Sequence, residues 1–115
     1  MAYFGYWYDV DLSKGPVVTS IKQMFLNNIK AQRIGAKVTD NGEAVSLGGS
    51  CFGTVILADG STVGPITGTV SGNTCYIDLP QTAYAVPGPV RIFLTWSSSS
   101  VVTTLVAVDG NVQGV

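Results

Sequence analysis

Turn-forming residues interrupt this sequence at intervals of roughly 8–12 residues along most of its length. The interruptions include Asp40-Asn41-Gly42, Asp59-Gly60, Ser71-Gly72-Asn73 and Pro87-Gly88-Pro89. Between them lie short segments rich in Val, Ile, Thr, Phe and Tyr, which are the residues favoured in β-strands. Short strands with this spacing are typical of β-sandwiches and small barrels. No segment shows the 3.6-residue periodicity of an amphipathic helix.

Several of these segments alternate apolar and polar residues, as a strand with one buried face does. Ile34, Ala36 and Val38 share one face of such a strand, whereas Arg33 points to the other. Residues 101–108 are apolar on both faces, which indicates a central strand or one covered by a partner. The 115 residues are enough for one domain. We therefore predict an all-β fold, a single antiparallel, immunoglobulin-like β-sandwich of about seven to eight strands.

The turn residues also predict how neighbouring strands are joined. We expect hairpins at three turns whose residues tolerate positive φ, namely Asp40-Asn41-Gly42-Glu43, Asp59-Gly60 and Ser71-Gly72-Asn73. Residues 81–86 lie between two prolines and are expected to form a helical turn or an irregular crossover. Residues 21–29 are long enough for two helical turns, but we favour a strand that breaks at Asn27-Asn28.

The composition argues against catalysis. The chain has no histidine and only 11% charged residues, with a net charge of −1. Histidine is the most frequent general base, so its absence excludes Ser-His-Asp and Cys-His arrangements. We therefore predict that the protein is not an enzyme and uses no cofactor. The small net charge gives no reason to expect a nucleic-acid or membrane partner.

Two pairs of side chains have both a functional and a structural interpretation. Asp9-Val10-Asp11 resembles the start of a calcium loop, but Lys14 and Ser20 occupy the positions that need glycine and glutamate. We therefore predict no metal site.

Cys51 and Cys75 lack a Cys-x-x-Cys spacing and have no histidine to complete a zinc site. We expect two small buried residues in adjacent strands, with a disulfide as the alternative if their α-carbons lie within about 7 Å.

Aromatic side chains are concentrated at the start of the chain. The first eight residues hold five of its eleven aromatic residues (two Trp, five Tyr and four Phe), and these five are Tyr3, Phe4, Tyr6, Trp7 and Tyr8. One interpretation is a first strand that folds back onto its own core. The other is a docking segment, because Tyr and Trp are enriched in protein interfaces. We predict a docking segment at residues 1–8, with these five residues as the partner-binding residues, and the sandwich at residues 9–115.

The order of the motifs resembles a known family. The motifs are Ile34-Gly35-Ala36-Lys37-Val38-Thr39, Asp40-Asn41-Gly42-Glu43-Ala44-Val45-Ser46-Leu47, the segment 52–57 with Asp59-Gly60, Ile77-Asp78-Leu79-Pro80, Tyr84, Pro87-Gly88 and the segment 90–94. Over roughly residues 8–110 this order resembles the N-terminal domain of the baseplate upper protein family of tailed phages that infect Gram-positive bacteria.

The resemblance implies a structural or assembly module of a phage virion, in the baseplate, a tail-fibre anchor or a head decoration. Such domains carry no catalytic residues, contact other virion proteins and self-associate as homo-oligomers. It also implies synthesis in the host bacterial cytoplasm, which agrees with the lack of a secretory signal at the first residues. Assembly in the cytoplasm argues against a disulfide.

A second function of another class is a carbohydrate-binding sandwich for adhesion to a host surface or to mucus. In that case Trp7, Trp96 or Tyr84 would be exposed and would stack on sugar rings of a glycan.

Overall fold

This computed structural model describes residues 4–25, 32–98 and 101–113. Their strands, in which buried and exposed residues alternate, form two β-sheets that enclose one apolar core. The strands are β1 Phe4–Asp11, β2 Val17–Phe25, β3 Gln32–Asp40, β4 Glu43–Ala44, β5 Ser50–Ile56, β6 Thr62–Thr67, β7 Thr69–Ser71, β8 Thr74–Asp78, β9 Gly88–Ser98 and β10 Val101–Gln113. The predicted all-β sandwich is confirmed. The described residues contain ten strands rather than seven or eight, because β4 and β7 are short additional ones.

The two sheets are mixed, and not wholly antiparallel as the sequence analysis predicts. The first has the strand order β1-β3-β8-β7, with β4 paired to β3, and the second has the order β2-β10-β9-β5-β6. β1 runs parallel to β3 and β2 runs parallel to β10, whereas the other pairs are antiparallel. The parallel pair in the first sheet arises because β2 lies in the other sheet. The chain therefore reverses direction twice before β3 comes to lie beside β1.

The predicted turns are found where the sequence placed them. Asn41 and Gly42 both have positive φ, 55° and 88°, and they join β3 to β4. Asp59-Gly60 lies between β5 and β6, and Ser71 pairs with Thr74 across the turn from β7 to β8. The predicted helical turn is a 3₁₀ turn at Gln81–Tyr84. The strand expected from residue 21 is β2, while the predicted break at residues 27–28 lies outside the described residues.

The two cysteines are buried as free thiols in the core. Cys51 lies on β5 and Cys75 on β8, so they occupy opposite sheets rather than adjacent strands. The Cys51 Sγ lies 3.4 Å from the carbonyl oxygen of Thr69 and 3.7 Å from that of Tyr76. The contact with Cys51, together with burial, raises the pKa of the Cys75 thiol well above its ordinary value. This thiol is therefore uncharged at neutral pH.

Tyr84 connects the 3₁₀ turn to the start of β3. Its side chain is completely buried, and its hydroxyl donates a hydrogen bond to the side-chain oxygen of Gln32. The same hydroxyl oxygen accepts a hydrogen bond from the backbone N–H of Gln32 at 3.2 Å. Burial raises the pKa of Tyr84 to about 12. The phenol is thus a neutral link between two parts of the fold.

Replacing Tyr84 with phenylalanine is expected to lower the free energy of unfolding by about 1–3 kcal/mol, because buried polar groups of Gln32 then lose a partner. Urea denaturation followed by circular dichroism measures this change. A variant as stable as the wild type would show that Gln32 finds another partner at no cost.

Candidate protein-binding surface

One row of residues crosses the outer face of the first sheet. The strand register places Trp7 of β1 beside Gly35 of β3, and Gly35 opposite Tyr76 of β8. The neighbouring row lies two residues away along each strand. It places Gly5 beside Arg33 and Arg33 opposite Asp78. Residues two apart on a strand point to the same face. The two rows therefore place two aromatic rings and an ion pair side by side on one surface.

Gly35 makes room for the Trp7 indole. A Cβ atom at position 35 would lie 2.5 Å from two carbons of the Trp7 ring, which is far closer than atoms approach without bonding. The indole therefore lies over the bare backbone of β3 and reaches Tyr76, whose ring centroid is 5.7 Å away at an interplanar angle of 70°. Edge-to-face contacts of this kind are favourable. Trp7 is held in place although 39% of it remains exposed.

Arg33 and Asp78 complete this arrangement beside Tyr76. The guanidinium carbon of Arg33 lies 3.9 Å from the Tyr76 ring centroid, a cation–π contact. Asp78 accepts two hydrogen bonds from Arg33, at 2.7 Å and 3.1 Å, and these raise the pKa of the guanidinium. A partly exposed ion pair contributes little to stability. Its effect is to hold the Arg33 plane over the ring. We call Trp7, Gly35, Tyr76, Arg33 and Asp78 the aromatic surface.

The five predicted partner-binding residues do not all lie together. Tyr3 lies outside the described residues, and Phe4 begins β1 with only its backbone described. Tyr6 and Tyr8 point inward and pack, partly buried, against the core. Burial raises the pKa of Tyr8, which also hydrogen-bonds with Thr19 of β2. Of the three with described side chains, Trp7 is the one on the outer face.

From Phe4 onward, the aromatic N-terminus belongs to strand β1 of the first sheet. The predicted boundary between residues 8 and 9 falls inside β1, which pairs with β3 along its whole length. A role of these residues in docking stays a prediction. The neighbours of Trp7 on the aromatic surface were not predicted as site residues. Alternation in residues 75–79 places Tyr76 and Asp78 on one face, but the sequence does not reveal that this face adjoins Arg33 and Trp7.

The carboxylate of Asp11 holds two turns together. Its carboxylate accepts hydrogen bonds from the backbone N–H groups of Ser13, Asn41 and Gly42 at 2.9–3.0 Å, and from the hydroxyls of Ser13 and Thr39. These donors present positive ends to the carboxylate where a metal ion would have to approach. The hydrogen bonds, the Ser13 hydroxyl first, hold the pKa of Asp11 far below its ordinary value. In the described ranges no three acidic or cysteine side chains gather into a metal-binding group.

Replacing Asp11 with asparagine is expected to lower the urea midpoint at pH 7 and to make stability less sensitive to acid. The folded-state pKa of Asp11 is depressed, so its contribution is complete above the ordinary value of 3.8 and is lost as pH falls below that value. Wild type and variant should therefore differ at pH 7 and converge toward pH 2. Urea titrations at several pH values test this, and a constant difference down to pH 2 would contradict it.

The predicted sugar-stacking residues are also separated. Tyr84 is completely buried, so the expectation that it stacks on a sugar ring is wrong. Trp96 is partly buried, and its indole N–H donates a hydrogen bond to the carbonyl oxygen of Gly48 at 2.9 Å. Trp7 and Trp96 lie on different sheets, so they do not form one platform for a glycan.

These features define an all-β sandwich of two mixed sheets with an aromatic patch on one outer face. No protein-family model matches the sequence, and no curated protein matches it. Among solved structures the fold is similar to that of the N-terminal domain of phage TP901-1 ORF48, with a TM-score of 0.56 and 11% sequence identity. The match covers 98% of this chain and 99% of that chain. At this identity the likeness shows the fold alone. The predicted resemblance to a phage domain is confirmed to that extent.

In the described part of the chain, no helix has the length and apolar character needed to cross a membrane.

Proposed function

We propose that this chain is a non-enzymatic structural module of a phage virion that acts through protein–protein contacts made by the aromatic surface. The observation that carries the proposal is the position of Trp7, which is 39% exposed and yet held over Gly35 against Tyr76. Trp, Tyr and Arg are the residues that dominate binding energy in interfaces, and all three meet here. The fold shared with a phage protein supports the virion as the setting.

The rigidity of the aromatic surface favours binding. A side chain that is already ordered loses little conformational entropy when a partner covers it. Arg33 and Tyr76 are likewise held before binding, by Asp78 and by the contacts within the row. Because Asp78 neutralises Arg33, a partner would cover a surface with little net charge. The surface therefore suits a partner with an apolar or aromatic patch.

The sequence resemblance names a more particular role within this proposal. The order of the motifs resembles that of the N-terminal domain of the baseplate upper protein family. This resemblance favours a module that attaches a fibre or a decoration to the particle. Synthesis in the host cytoplasm and incorporation into the virion belong to the same proposal. The partners are then other virion proteins, with no catalytic step and no cofactor.

Mass spectrometry of purified particles of the phage that encodes this chain tests the proposal. We expect the chain to be present in fixed stoichiometry and to be restored to deletion particles when supplied from a plasmid. Its absence from purified particles would overturn the proposal. Glycan-array binding that the Trp7→Ala substitution removes would favour adhesion to carbohydrate instead.

A further inference from the structure

The two free thiols lie near the point where the chain crosses from the second sheet to the first. β6 and β7 belong to different sheets, and Gly68 is the single residue between them. The backbone N–H of Gly68 donates a hydrogen bond to the Cys51 carbonyl oxygen of β5 at 3.0 Å. Two residues later, Val70 of β7 pairs with Cys75 of β8. One short backbone segment therefore connects the strands that carry the two cysteines.

β5 and β8 also approach each other directly across the core. A Cβ atom at Gly53 would lie 2.2 Å from the Cδ1 of Ile77, so the Ile77 side chain reaches the backbone of β5. In the other direction, the Cys51 Sγ lies 3.7 Å from the carbonyl oxygen of Tyr76 in β8. Packed sheets are usually about 10 Å apart. A cysteine side chain has one heavy atom beyond Cβ, so this contact requires a closer local approach of the two sheets.

Cys51 and Cys75 face each other in this narrow part of the core. Each lies two residues before Gly53 or Ile77, so each points to the same inner face as that residue. Both thiols are buried. They are in hydrogen-bond contact, which lowers the pKa of Cys51 and raises that of Cys75. A small shift of two thiols already in contact is enough to bring the sulfur atoms to bonding distance.

We propose that Cys51 and Cys75 form a disulfide that cross-links the two sheets when the reduced chain meets a peroxide. Cys51 reacts first, because the thiol with the lower pKa forms the thiolate more readily. Its sulfur attacks one oxygen of hydrogen peroxide, the O–O bond breaks, and a sulfenic acid and water result. The Cys75 sulfur then attacks the Cys51 sulfur, the S–O bond breaks, and a second water leaves as the S–S bond forms. Each sulfur loses one electron, and the peroxide accepts both electrons and both thiol protons.

The short strand β7 gives the oxidant a way to Cys51. The Cys51 Sγ lies 3.4 Å from the carbonyl oxygen of Thr69, and a Cβ atom at Gly68 would lie 2.4 Å from it. This covering segment belongs to a three-residue strand at the edge of the first sheet. Short edge elements open locally at low free-energy cost, and hydrogen peroxide is a small neutral molecule.

The cross-link depends on the surroundings of the chain. The cytoplasm keeps thiols reduced, whereas disulfides persist outside the cell. The chain would therefore fold with free thiols and be cross-linked after release, which closes a loop from residue 51 to residue 75 and stabilises the folded state. The inference concerns the core rather than the aromatic surface, so its failure leaves the proposed function standing.

Peroxide treatment of the purified, reduced chain tests the inference. Afterwards we expect no thiol that can be alkylated in urea, and a peptide pair joined through Cys51 and Cys75 in mass spectrometry. The urea midpoint, followed by circular dichroism, should rise by about 1–2 M. Dithiothreitol should return it to the value of the untreated chain.

Cys51→Ala and Cys75→Ala are the matched controls, and peroxide should not raise the urea midpoint of either. Both variants keep the two methionines of the chain, so any effect of methionine oxidation is common to all three proteins. Thiols that stay free, or that become sulfinic acids without a joined peptide pair, would overturn the inference. So would a disulfide between two chains, or a cross-linked chain whose midpoint does not rise. The joined peptide and the reversal by dithiothreitol are measured on the wild type, so they decide the matter even if a variant fails to fold.

Discussion

Replacing Gly68 with alanine is expected to lower the free energy of unfolding by about 3 kcal/mol. Gly68 lies where the chain passes from β6 in the second sheet to β7 in the first. An added Cβ atom would lie 2.4 Å from the Cys51 Sγ and 2.7 Å from the carbonyl oxygen of Tyr76. These atoms belong to opposite sheets, and the Gly68 N–H also donates a hydrogen bond to the Cys51 carbonyl oxygen at 3.0 Å. The methyl group is therefore accommodated only if the two sheets separate locally.

Urea denaturation measures this loss, and Gly5→Ala is the matched control. Gly5 is also a strand glycine, but the Cβ atom there would meet only the edge of the Trp7 indole, at 3.0 Å. A displacement of the indole by a few tenths of an ångström relieves this contact, so a change within about 0.5 kcal/mol is expected. Similar losses of unfolding free energy in the two variants would show that the contact of position 68 with both sheets does not cause the loss.

The local parts of this fold could be predicted from the sequence. Turns at Asn41-Gly42, Asp59-Gly60 and Gly72-Asn73 depend on residues that adopt particular backbone angles, and those requirements are local. The 3₁₀ turn between two prolines is local in the same sense. Strand direction was not predictable in this way. Whether β1 pairs parallel with β3 depends on which sheet β2 joins, and that is decided by packing between residues far apart in sequence.

The residues of the aromatic surface could likewise be predicted only in part. Trp7 was predicted as a partner-binding residue because aromatic residues crowd the start of the chain. Alternation alone does not separate Trp7 from Tyr6 and Tyr8, since it does not say which face is buried. The contact of Trp7 with Gly35 depends on the β1–β3 register, which no local pattern encodes. A glycine between apolar strand residues, as at position 35, is the one signal that suggests a close approach by another group.

Replacing Trp7 with alanine is expected to remove the chain from particles while leaving it folded. Trp7 lies on the outer face, so its loss should cost about 1 kcal/mol of stability. Its loss from an interface, where it is the exposed indole of the aromatic surface, should cost about 2 kcal/mol or more, a decrease in affinity of roughly thirtyfold. Quantitative mass spectrometry of particles complemented with each variant measures the incorporated amount.

Two further variants decide whether the ordered position of the indole is what matters. Gly35→Ala keeps Trp7 but displaces its ring, because the new Cβ would lie 2.5 Å from two ring carbons. It should therefore reduce incorporation nearly as much as Trp7→Ala. Val102→Ala is the control, since Val102 is 66% exposed but lies on β10 in the other sheet. Equal losses for Trp7→Ala and Val102→Ala would indicate that exposed apolar area in general, rather than the aromatic surface, determines incorporation. Normal incorporation of Gly35→Ala would mean that the partner needs the indole but not its position over β3.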